Sequence, residues 1–106
     1  MSHKLVQKHF LHGSQELELR DNLIRVKSSS LLKGSKELDI ELAMLNPKPV
    51  IENSMLHFHS RVKCGPLISM YLNKPNEKEF NAFVDLISEK AREEYNAFAG
   101  LTASKT

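Results

Sequence analysis

The feature that most constrains this chain is a change of hydrophobic period at Pro75. Before it, apolar residues recur mostly at every second position, the mark of strands covered on one face. After it they recur every three or four positions, the mark of an amphipathic helix. Leu17 and Leu19 alternate with Glu16, Glu18 and Arg20, and Ile24 and Val26 alternate with Arg25 and Lys27. Asp21-Asn22 between these runs reads as a hairpin turn, because both residue types tolerate the positive φ of tight primed turns. A second hairpin is expected around Gly34-Ser35, joining Leu31-Leu32 to an apolar face of Leu38, Ile40 and Leu42, with Glu37, Asp39 and Glu41 facing solvent. Asn46-Pro47-Lys48-Pro49 breaks the chain into a loop, since proline donates nothing to a ladder. A strand follows from about Met55 to Val62, Cys64-Gly65-Pro66 turns the chain, and Ile68, Met70 and Leu72 form the last strand. The opening stretch Lys4 to His12 reads as a further strand with Val6 and Phe10 in phase.

Asn76 and Glu79 have the spacing of a capping box, and Glu77 and Glu79 place negative charge where the helix dipole favours it. Phe80, Phe83, Val84, Ile87, Ala91, Tyr95 and Phe98 then form one stripe, with Gly100 as the expected stop. The expected fold class is α+β, mainly β: six to seven antiparallel strands in a bent sheet or open barrel, closed by one helix over about 76–99. No helix lies between strands, which excludes a parallel sheet. Residues 1–100 are expected to form a single domain and 101–106 a frayed tail.

This order of elements resembles the pleckstrin-homology-like (PH-like) superfold, in particular the small bacterial and GRAM-like members. The hairpin from Leu17 to Val26, the strand and loop from Leu38 to Pro49, and the helix from Asn76 with Phe80, Phe83 and Ile87 carry the resemblance. It implies two nearly orthogonal sheets with a C-terminal helix across one end. The tryptophan common in the closing helix of eukaryotic members is absent, and so are closely spaced basic residues in the first hairpin turn. Phosphoinositide binding is therefore not expected.

The remaining signals are sparse. At 106 residues, 41% hydrophobic and 26% charged, the composition is that of one ordinary globular domain. The single cysteine, Cys64, excludes an internal disulfide framework. No apolar run reaches the roughly 20 residues of a membrane span and no signal-type segment follows Met1, so the expected location is cytoplasmic. His57 and His59 share a strand face and are candidate metal ligands, with His9, His12 and Glu52 as possible third donors, although zinc or iron needs more than two. Lys27, Lys33, Lys36, Arg61 and Lys63 are candidates for an anionic-ligand face, for a lipid headgroup or nucleic acid. Few aromatics accompany them, which argues against single-stranded nucleic acid. Neither a phosphate-binding glycine loop nor a nucleophile motif is present, so no enzyme and no cofactor is expected. The reading that remains is a non-enzymatic interaction or assembly module, binding a protein or peptide or its own copy (a homo-oligomer) through a sheet edge or a groove beside the helix.

Overall fold

The computed structural model describes residues 3–9, 13–30 and 34–103. Seven antiparallel strands precede one helix: β1 (His3–His9), β2 (Gly13–Leu19), β3 (Leu23–Ser30), β4 (Gly34–Glu41), β5 (Val50–Glu52), β6 (Met55–His59), β7 (Pro66–Tyr71) and α1 (Glu77–Ala103). They make a four-stranded sheet in the order β1-β2-β3-β4 and a three-stranded sheet in the order β5-β6-β7. The α+β, mainly β architecture is as the periodicity predicts. The sheets are two separate meanders and do not close into a barrel.

The register lays out both faces of the larger sheet. On the inner face, Leu5, Leu17, Val26 and Leu38 form one cross-strand row, and Leu19, Ile24 and Ile40 form another. On the outer face the row Lys4, Glu18, Arg25, Asp39 alternates in sign along its whole length. Opposite charges facing one another across strands stabilise a sheet, and like charges do the reverse. Leu5, Leu17, Leu19, Ile24 and Ile40 join Leu42, Leu45, Leu56, Phe58, Ile68 and Met70 in one core. The helix completes it with Phe80, Phe83, Val84, Ile87 and Ala91. Burying a large side chain of this kind contributes about 1.5–3 kcal/mol.

Several local expectations are corrected. In β1 the inward phase belongs to Leu5 and Gln7, both buried, whereas Val6 is 39% exposed. Ser28–Ser30 continue β3, so the second hairpin joins β3 directly to β4. Leu38 does lie on the inner face, but at the edge strand, and it is 57% exposed. Asp21 and Asn22 do not adopt positive φ; Arg20 N–H closes that turn on Leu23 O at 2.8 Å, and Asn22 O accepts from Leu42 N–H at 3.0 Å. The positive-φ turn lies instead at Asn53 and Ser54, with φ of 53° and 64°, between Glu52 and Met55. It creates β5, a three-residue strand that the alternation did not reveal. The helix also passes through Gly100 to Ala103, because a glycine inside a helix costs only about 1 kcal/mol and Leu101 and Ala103 are good helix formers. Phe10, Leu31 and Leu32 lie outside the described residues, as do residues 104–106.

The sheets meet through two glutamines. Gln7 is fully buried; its Nε2 donates to Tyr71 O at 2.8 Å and Lys74 O at 3.0 Å, and its Oε1 accepts from Tyr71 N–H at 2.8 Å. Gln15 Nε2 donates to Gln7 Oε1 at 3.0 Å and to Ser69 O at 2.9 Å. Two side-chain amides thus stand in for a neighbouring strand along the outer edge of β7.

The helix start is as expected. Asn76 Oδ1 accepts from Glu79 N–H at 2.9 Å, and Asn76 Nδ2 donates to Glu79 Oε2 at 2.7 Å. Asn76→Ala should cost about 1 kcal/mol, read as a lower urea midpoint at unchanged slope. A midpoint equal to wild type would mean that the cap does not hold this helix.

Candidate functional site

Alternation of ladder bonds tells which edges are free. Because Arg20 and Leu23 form a hydrogen-bonded pair, Glu18–Arg25 and Glu16–Lys27 do also, and the odd-numbered residues of β2 turn their peptide groups toward β1. In β1, Leu5 and Gln7 therefore bond to β2, and the peptide groups of Lys4, Val6 and Lys8 open on the far side. No strand pairs with that side among the described residues.

Alongside it runs a groove of about 930 Å³. One wall is β1 from His3 to Val6, with Lys8; the other is Lys74, Pro75 and one flank of α1, with Glu79, Ala82, Phe83 and Leu86. The last four recur at helical spacing, so they make a continuous strip. Val6, Ala82, Phe83 and Leu86 give the groove apolar surface and Lys4, Lys8 and Lys74 line it with them; Lys4 also lies 3.7 Å from Glu16, and Glu79 is engaged in the helix cap. The groove is therefore lined by apolar and cationic side chains.

The other edges differ. Along β4 the same alternation, set by the Leu42–Asn22 bond, turns the peptide groups of Ser35, Glu37, Asp39 and Glu41 outward. Arg25 lies one strand inward, 2.8 Å from Asp39 and 3.3 Å from Glu37. Its hydrogen bond holds the Asp39 carboxyl below the usual carboxylate range and raises the guanidinium further. The β7 edge is occupied by Gln7 and Gln15, and β5 is only three residues long.

The residues singled out by sequence are dispersed. Lys27 and Lys36 line one shallow cavity of about 450 Å³, but Glu16 and Glu37 line it with them. Lys33 lies outside the described residues. Arg61 and Lys63 belong to the β6–β7 connection, where the Arg61 guanidinium stacks 3.8 Å from the centre of the Tyr95 ring. His57 and His59 do sit close, with ring centres 6.3 Å apart, and His57 Nδ1 is 2.7 Å from Ser69 Oγ. Among the described residues no three His, Cys, Asp or Glu side chains gather to hold a metal ion. His12 lies outside them. Cys64 is exposed in the same connection. Among the described residues no helix is long and apolar enough to cross a membrane.

Sequence reasoning offered a groove beside the helix but not the strand that forms its other wall, because the two walls are far apart in the chain and β1 carries no motif. The one available signal was Lys4-x-x-x-Lys8 on an edge strand. No family model, no curated protein and no solved structure matches the chain.

Proposed function

We propose that this protein is a non-enzymatic interaction module, PH-like in build, that takes up an extended segment along β1 in the groove beside α1. The observation that carries the reading is the open row of peptide groups at Lys4, Val6 and Lys8, set against an apolar helix flank. Strand addition uses such a row directly: main-chain bonds supply affinity and the adjacent pockets supply selectivity. The lysines that line the groove, Lys4, Lys8 and Lys74, favour acidic side chains on the incoming segment. The resemblance to PH-like domains supports the same reading, since it too places a helix across the end of a strand meander.

The test is an amide-resolved NMR titration with a capped nine-residue peptide alternating glutamate and valine. Shifts should concentrate at Lys4–Lys8 and Ala82–Leu86. Ala82→Arg, an exposed position on the groove wall, should abolish them while leaving the remaining spectrum in place. Shifts absent at saturating peptide, or scattered over both sheets, would sink the proposal.

A further inference from the structure

The larger sheet has two unlike edges, and each is the complement of the other. The β1 edge carries Lys4 and Lys8 beside an apolar strip. The β4 edge carries Glu37, Asp39 and Glu41, with Leu38 57% exposed on the inner face. From these we infer that the segment taken up by the groove is β4 of a second copy of this chain, added antiparallel to β1. The inference rests on the groove being a strand-docking site, as proposed above, and names its occupant.

Three geometric facts converge on it. First, β1 and β4 run in opposite directions within the sheet, so a copy in the same orientation presents its β4 antiparallel to the next β1. The outward peptide groups then match, with Asp39 opposite Lys4 and Glu37 opposite Val6, between the two lysines. Second, this register continues the existing rows without a shift. Leu38 comes to lie beside Leu5 and against the Ala82–Leu86 flank of α1, where its exposed side chain is covered. The outer row Lys4, Glu18, Arg25, Asp39 meets the next Lys4 with its alternation unbroken. Third, the symmetric alternatives are penalised. Two β1 edges related by a two-fold axis place Lys4 against Lys8, and two β4 edges place Glu37 against Asp39. Like charges directly opposite one another destabilise a strand pair. The charge pattern thus admits head-to-tail pairing and opposes both closed dimers. Such a heterologous contact leaves one edge of each kind free in a dimer, so assembly proceeds by addition at two ends, into a ring if the rotation closes and a filament if it does not.

The experiment uses the full chain. Light-scattering mass is followed from on the order of 10 μM to about 1 mM, the range in which weak association becomes visible. The wild type should at least double in average mass and keep growing rather than stop at a dimer. The variants Lys4→Glu/Lys8→Glu and Glu37→Lys/Asp39→Lys should each stay at monomer mass, and mixing them in equal amounts should restore growth, because each then supplies the edge the other lacks. Val6→Pro is a second block: its N–H points away from β2, so proline removes only an outward donor. Circular dichroism of each variant confirms the fold. A wild type that remains monomeric throughout, or growth that stops at a dimer, overturns the inference, and so does growth unaffected by the charge swaps. If the wild type is monomeric while the glutamate–valine peptide still shifts the groove amides, only the occupant is wrong. If that peptide also fails, the groove reading falls with it.

Discussion

Gln7→Leu should lower the stability of this protein by about 3 kcal/mol, although leucine fits a buried strand position better than glutamine does. The loss arises because the replacement takes the glutamine acceptor from the Tyr71 N–H, takes one of two acceptors from the Gln15 amide and takes the glutamine donor from the Tyr71 and Lys74 carbonyls. Each buried polar group left unpaired costs about 1–3 kcal/mol. Set against the roughly 5–15 kcal/mol that holds a domain together, this is a large share. The expected readout is a fall in Tm of roughly 12–24 °C. Gln7→Glu separates polarity from hydrogen bonding. A carboxylate there would face two carbonyl oxygens, so burial and repulsion raise its folded-state pKa above the unfolded value. The variant should therefore be least stable at neutral pH and recover as the pH falls through the raised value, where the protonated acid can donate again. A Gln7→Leu protein as stable as wild type would mean that the two sheets are held by apolar packing alone.

Phe58→Ala should be comparably severe or worse. Phe58 is fully buried on β6 and belongs to the same core as the helix residues Phe80, Phe83 and Ile87. Truncating a buried phenylalanine to alanine removes its transfer free energy and leaves a cavity, for a loss of about 3–5 kcal/mol. Phe58→Leu, which keeps most of the volume, should cost under about 1.5 kcal/mol. Urea unfolding of the two variants separates the cases. Near-equal midpoints would show that the core collapses around the missing ring.

Local physics made part of this fold legible. Asn76 and Glu79 mark the helix start because a capping box is a short-range device with its own residue types. Leu17, Leu19, Ile24 and Ile40 show their face because a sheet covered on one side imposes a period of two. Gln7 misleads for a tertiary reason: it looks like a solvent-facing residue, so the phase of β1 is assigned to Val6, but the partners that let glutamine be buried lie more than 60 residues away. Leu38 misleads differently. Its face is read correctly, yet β4 is an edge strand and the helix runs beside the opposite edge, so among the described residues nothing buries it. A groove beside the helix was foreseen, but that β1 forms its other wall was out of reach. The groove exists because β1 and α1, at opposite ends of the chain, are brought side by side, and neither segment carries a pattern that announces the other.

The arrangement of strands also bears on the order in which the structure is won and lost. Every ladder in both sheets joins strands that are neighbours in sequence, so the hairpins can zip with little loop-closure entropy. The contacts between Gln7 or Gln15 and the Ser69–Lys74 segment span 54 to 67 residues and are of the opposite kind. They require both meanders to be in place first. Interactions that form after the rate-limiting step leave the folding rate almost untouched and act on the rate of unfolding. The glutamine pair should therefore act as a late latch: Gln7→Leu is expected to raise the unfolding rate far more than it lowers the folding rate, as stopped-flow kinetics would read.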